Sequence, residues 1–177
     1  MQQKYWPYVG AIVLCVSLLA ACSSNNPGGD TSRVETSAPE SPFATAPLPD
    51  NGYKAKITLS DPPAMMRAGE KQSIQVKVQN ASDVLWKVRG GGDDNKFYIA
   101  VGNQWRKAAG DELLTRMDGR YGLPNNLTPG EEVEVPLLIT APKEPGEYIL
   151  EVDLVQEQVT FFNEKGSPTA RTKVTVK

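Results

Sequence analysis

The run APKEPGEYILEVDLVQE, residues 141–157, reads as a turn followed by a strand. Pro142 to Gly146 supplies the turn residues. Beyond it Tyr148, Leu150, Val152 and Leu154 alternate with Glu147, Ile149, Glu151 and Asp153. A period of two sends the sets to opposite faces of an extended chain. The apolar set predicts a strand packed on a core. Glu147, Glu151 and Asp153 share the other face, read as a solvated sheet surface.

The same alternation recurs on both sides. Tyr53, Ala55, Ile57 and Leu59 alternate with Lys54, Lys56 and Thr58, and Asp61-Pro62-Pro63 ends that strand. Ile74, Val76 and Val78 form a second strand, closed by the turn cluster Asn80-Ala81-Ser82-Asp83. Val84, Trp86 and Val88 predict a third, and Phe97 to Val101 a compact fourth. Trp105 to Asn126 is irregular; Leu113, Leu114 and Met117 fit either one helical turn or an edge strand. After the turn Leu127 to Gly130, Val133, Val135, Leu137 and Ile139 alternate. Pro136 inside that run predicts an edge strand or a bulge. Val159 to Phe162 continues after a bulge near Glu157-Gln158, and Val174 and Val176 close the pattern.

Short alternating strands, Gly/Pro turns and no amphipathic helix predict an all-β antiparallel sandwich over residues 53–177. About 125 residues is an ordinary size for one such domain. Pro145-Gly146 places Tyr148 at a strand start after a loop. That is the setting of a tyrosine corner, in which the phenol bonds backbone across the loop. Trp86 reads as the aromatic packed between the sheets.

Composition excludes several functions. The chain has 177 residues, 19 Lys+Arg, 21 Asp+Glu and no His, for a net charge of -2. Without His there is no His-based triad, His metal site or imidazole pH switch. A near-neutral balance lacks the basic footprint of a nucleic-acid binder. The 2 Cys residues, Cys15 and Cys22, both lie near the start, so no thiol or disulfide is expected in the sandwich.

That start reads as an address. Lys4 precedes an apolar run from Val9 to Ala21 that is short for a bilayer span, which takes ~20 residues. Leu19-Ala20-Ala21-Cys22 resembles the lipobox of bacterial lipoprotein signal peptides. The resemblance implies a signal peptide over residues 1–21, cleavage before Cys22, and acylation of Cys22. It thereby implies a lipid anchor in the bacterial envelope. Ser23 in place of Asp resembles the outer-membrane class. Ser23 to Asp50 is rich in Ser, Thr, Pro, Gly and Asn, so residues 22–52 are expected to be a flexible linker.

Residues 141–157 with VTFFNEKGSPT (159–169), VKVQNASDVLW (76–86) and LTPGE (127–131) together resemble a bacterial immunoglobulin-like β-sandwich module. That module accompanies bacterial glycosyltransferases, methyltransferases and cell-surface proteins. The similarity spans most of Tyr53 to Lys177. The module usually has Gly where Gln158 stands and Trp where Phe161 stands. The resemblance implies an immunoglobulin-like fold and brings no catalytic role.

Candidate chemistry is sparse. Asp93-Asp94-Asn95 offers oxygens for Ca²⁺ but lacks the spacing of a calcium loop, so a solvated turn is the reading. Asp153 and Glu157, with Glu151 and Glu147, suit a hydrolase pair only if they are not a solvated face. No cofactor motif appears. Trp105, Phe161 and Phe162 are the candidate binding residues, because aromatic faces stack on sugars and anchor partners. Phe161 and Phe162 cannot both point inward on a flat strand. The expected function is a non-enzymatic, membrane-anchored binding or scaffolding module for an envelope protein. The alternative is a carbohydrate-binding module.

Overall fold

A computed structural model describes residues 40–177. Cys22, its lipobox and the segment up to residue 39 lie outside the described residues.

Ten strands and two short 3₁₀ turns make up the described chain: β1 (Ala55–Ser60), β2 (Met65–Met66), β3 (Lys71–Asn80), β4 (Ile99–Lys107), β5 (Leu113–Thr115), β6 (Arg120–Gly122), β7 (Glu132–Thr140), β8 (Gly146–Gln156), β9 (Thr160–Phe161) and β10 (Ala170–Val176). They build two sheets. The smaller runs β1-β3-β7; the larger runs β2-β10-β8-β4-β5, with β6 also on β4 and β9 also on β8. All pairings are antiparallel except β2 with β10. β3 pairs with β7 across the sequence, while β8 lies between β4 and β10. This ordering is that of an immunoglobulin-like sandwich.

The alternation read in residues 148–154 packs as expected on one side. Tyr148, Leu150, Val152 and Leu154 join Ile74, Val76 and Val78 of β3 and Val135, Leu137 and Ile139 of β7 in one core. Each fully buried aliphatic side chain contributes about 1.5–3 kcal/mol, which lets the sandwich dispense with a disulfide. The Tyr148 phenol donates to the Glu144 carbonyl at 2.8 Å, the tyrosine corner. Trp86 is buried and donates its indole N–H to the Gly52 carbonyl at 2.8 Å. Pro136 sits on β7, the outer strand of the smaller sheet, where a missing N–H is tolerated.

Two strand expectations need correction, and one open alternative is decided. Residues 84–88 are no strand: Trp86 makes a single bridge to Leu127, and the Val88 N–H goes to the Asn126 side chain. Its alternation is genuine, since Trp86 and Val88 face the core, but its backbone bonds are scattered: the Val88 carbonyl accepts the Ile99 N–H at the start of β4 at 3.0 Å, and the rest go to loop residues. The expected compact strand at 97–101 starts at Ile99 and runs on to Lys107. Buried Asn103 hid that continuation. It points into the core with Val101 and Trp105, and its Oδ1 accepts the Gly119 N–H at 2.7 Å. Leu113–Thr115 settles as an edge strand, ended by Met117 at φ 47.

The expected linker also ends earlier than residue 52. The Ala44 N–H donates to the Arg89 carbonyl at 2.7 Å, and Lys87 pairs with Glu40. The buried Gln156 side chain accepts from the Tyr53 hydroxyl at 2.6 Å and the Leu48 N–H at 3.0 Å. Residues 40–52 therefore form a strap packed on the sandwich. Its Ser/Pro-rich composition concealed this, because backbone bonds rather than apolar side chains fasten most of it.

Candidate functional site on the outer face of the larger sheet

The face of β4 and β8 turned away from the core carries Gln104, Arg106, Glu151 and Asp153, paired through the register Gln104↔Glu151 and Gly102↔Asp153. It was expected to be solvated. Instead Glu151 is 5% and Asp153 2% exposed. Two segments fold over it. Leu113, Arg116 and Met117 approach from β5 and the turn after it. Phe161, Asn163 and Glu164 approach from β9 and the 3₁₀ turn that follows. Met117 lies so close over Gly102 that a Cβ there would sit 2.0 Å from its terminal methyl, so a side chain at this position would have to push the methionine aside. Between the two segments remains a depression of about 90 Å³.

The two buried carboxylates are held differently. Glu151 takes Arg106 Nε at 2.5 Å and Gln104 Nε2 at 2.8 Å on one oxygen, and the Thr169 hydroxyl at 2.8 Å on the other. Burial works against its charge, but hydrogen bonds from Arg106, Thr169 and Gln104 outweigh it and hold its pKa below the usual range. Burial pushes Asp153 up to about 6, opposed by the Leu154 and Asn163 amides and reinforced by the charges of Glu151 and Glu164. Both Glu151 oxygens are thus engaged in structural bonds. The Asp153 oxygens accept from Leu154 N at 2.7 Å and Asn163 N at 3.3 Å. The arrangement fastens strand to strand and strand to turn, and gives no acid–base pair around a free reacting centre.

Two further depressions adjoin. One of about 300 Å³ shares Phe161 and Glu164 with the first. It shares Arg120, Glu157 and Gln158 with another of about 500 Å³, which is bounded also by Asp94, Asn95, Tyr98, Ala100 and Gly122. In its wall Arg120 Nη1 donates to both oxygens of Glu157, at 2.7 and 2.8 Å. Gln158 has φ 60, a left-handed backbone that costs a non-glycine residue on the order of 1 kcal/mol. That conformation accounts physically for the glycine usual at this place in the resembled module.

The candidate aromatics separate. Trp105 is 1% and Phe162 0% exposed, so both belong to the core and neither presents a face to a ligand. Phe162 packs edge-on against Tyr53 and Trp86, with ring centroids at 5.1 and 5.2 Å. Trp105 meets Tyr148 at 6.4 Å. Phe161, half-buried, is the one of the three that borders the depressions. The inward–outward split of Phe161 and Phe162 follows the expected parity. Asp94 and Asn95 stand on the rim of the largest depression, and Asp94 Oδ1 accepts the Lys96 N–H at 3.1 Å, as in an ordinary turn. Among the described residues no three His, Cys, Asp or Glu side chains are grouped to hold a metal ion. Sequence reasoning missed Arg120 as a site residue; only the pairing of both β6 and β8 with β4 brings it beside Glu157.

No family model matches the chain, and no curated protein does. Solved structures with similarity include a β-glucosidase from Listeria innocua in complex with glucose. It is 15% identical with a TM-score of 0.41, over 70% of this chain and 16% of that one. A CARDB domain from Pyrococcus furiosus is 14% identical with a TM-score of 0.41, over 70% of this chain and 94% of that one. The sporulation control protein Spo0M of Bacillus subtilis is 17% identical with a TM-score of 0.39, over 70% and 49%. The chain thus spans a minor part of the glucosidase and about half of Spo0M. What identifies the immunoglobulin-like arrangement is the sheet order and register themselves.

Proposed function

We propose that this protein is a lipid-anchored envelope protein whose single immunoglobulin-like domain is a non-catalytic module that binds or scaffolds a protein partner. The observation that carries the reading is the pair of adjoining depressions of about 90 and 300 Å³ on the outer face of the larger sheet, with half-buried Phe161 lining both. They lie on paired strands and clamped turns, a rigid surface that loses little freedom on binding. Glu151 and Asp153 are engaged in the fold, which favours recognition over hydrolysis. Leu19-Ala20-Ala21-Cys22 supports the anchor, with Cys22 as the acylated residue and the outer membrane as destination.

The test is site-specific photo-crosslinking in intact cells. A photoreactive residue at Phe161 gives one discrete protein adduct. The same residue at Lys77, exposed on the smaller sheet, gives none. Equal smears from both positions, or no adduct from Phe161, sink the reading.

A further inference from the structure

We propose that the depression of about 500 Å³ between the 94–98 loop, β6 and the β8–β9 turn is a binding site for a neutral saccharide ring. This goes beyond the partner-binding reading and depends neither on the anchor nor on the protein partner. Its size falls within the ~300–1,000 Å³ of ligand pockets. The depression of about 90 Å³ at the far end of the row of three has room for only about three waters.

The floor is flat. Ala100 and Gly122 are register partners, and neither carries more than a methyl group. Tyr98 borders it, and a phenol ring stacks on the C–H face of a sugar while its hydroxyl hydrogen-bonds. The rim is polar with opposed charges. The Arg120–Glu157 pair, in which one guanidinium nitrogen spans both carboxylate oxygens, largely cancels its own charge and still has further N–H groups and lone pairs to offer. The amides of Asn95 and Gln158 add more of both. Such a rim recognises hydroxyls without demanding a counter-ion. A peptide would need an apolar pocket for an anchoring side chain, and this floor offers none.

The walls are fixed in advance. Gln158 Nε2 donates to the Asp94 carbonyl at 2.6 Å. The Phe97 N–H donates to the Glu157 carbonyl at 3.1 Å, and the Glu157 N–H to the Tyr98 carbonyl at 2.7 Å. Asn95, Phe97 and Gln158 hold φ values of 57, 67 and 60. Two of these non-glycine residues in left-handed backbone, Asn95 and Gln158, line the depression and the third, Phe97, directly precedes its Tyr98; such strain gathers at ligand clamps.

The test uses the full-length protein in detergent on a glycan array, followed by titration with cellohexaose and chitohexaose as defined neutral probes. Gly122→Leu is the decisive variant. A Cβ at Gly122 meets nothing within 4 Å and its backbone is not left-handed, so the new side chain fills the depression without disturbing the fold. Expected is binding to a neutral glycan that falls about tenfold or more with Gly122→Leu and with Tyr98→Ala, at unchanged melting temperature for Gly122→Leu. Lys77→Ala leaves it intact, and raising NaCl from about 50 to about 500 mM does too. Three results overturn the proposal: silence of the wild type toward every neutral glycan, affinity untouched by Gly122→Leu, or binding confined to charged polymers or peptides.

Discussion

Asp153, buried in the middle of β8, accepts the Asn163 amide at 3.3 Å and so ties the strand to the first residue of the following 3₁₀ turn. The bond comes with a cost, because the carboxylate is taken out of water beside two other acids, Glu151 and Glu164. A folded pKa of about 6 lies above the ordinary 3.8. The folded state therefore binds the proton more tightly than the unfolded chain. Acidification through the folded pKa adds stability, and the gain saturates near the unfolded value. Between pH 7.5 and 5.0 the gain is on the order of 1 kcal/mol. Glu151 has the opposite sign: its contribution is present above its ordinary pKa and is lost only as pH falls below it. Urea titrations at the two pH values will show the wild type more stable at pH 5.0. Asp153→Asn will abolish most of that difference. A wild type less stable at pH 5.0 would contradict the assignment.

Arg106 is the principal cation on buried Glu151, and Asp111 holds its other side through a 3.6 Å pair. Arg106→Ala leaves Glu151 buried with only Gln104 and Thr169. The expected cost is about 2–4 kcal/mol, since a buried charge that loses its partner retains its desolvation penalty. Glu151→Gln costs less, because no full charge stays buried and Arg106 is partly solvated. Equal losses for the two variants would show that the pair behaves as a surface ion pair.

Tyr148→Phe removes the phenol that bonds the Glu144 carbonyl and keeps the ring against Trp105. The loss should be about 1 kcal/mol, or a few degrees in melting temperature for a domain of this size. Pro145→Ala loosens the same loop through the unfolded state, by less. A melting temperature unchanged in Tyr148→Phe would remove the corner from the list of stabilising contacts.

The strands with apolar alternation were legible in the sequence, and so was the corner at Tyr148. What could not be read was what covers the far side of β8. Glu151 and Asp153 have the residue types of a wet surface. They became buried because Met117, distant in sequence, and Phe161, on the strand that turns back onto β8, fold across them. The same limit hid β4, where inward Asn103 interrupts an apolar set, and misplaced Trp105, which lies beyond that interruption. Parity separated Phe161 from Phe162 but did not say which of them faced inward. The wall formed by Arg120 and Glu157 depends on two strands both pairing with β4, which no local pattern records.

Phe162 is the sharpest test of that reassignment. It lies between Tyr53 and Trp86, with no exposed surface. Phe162→Ala should destabilise the domain by about 3–5 kcal/mol through the cavity it leaves. Phe161→Ala, at a half-buried position, should cost well under half of that and weaken partner crosslinking instead. Denaturant midpoints for the two variants decide the matter. A larger loss for Phe161 would reverse the parity of the segment.

The anchor is tested at Cys22. Its chemistry requires a thioether on Sγ and an acylated amino group, and more than one chain is what makes anchoring stable. In cells carrying the wild-type chain, the protein should sediment with membranes, and its N-terminal peptide should begin at an acylated Cys22. Cys22→Ala should leave the melting temperature of the sandwich unchanged, since Cys22 precedes the residues described in it, while releasing the protein into the soluble fraction. Recovery of a free thiol at Cys22, or membrane association that survives Cys22→Ala, would refute lipidation and leave the binding face as the surviving part of the proposal.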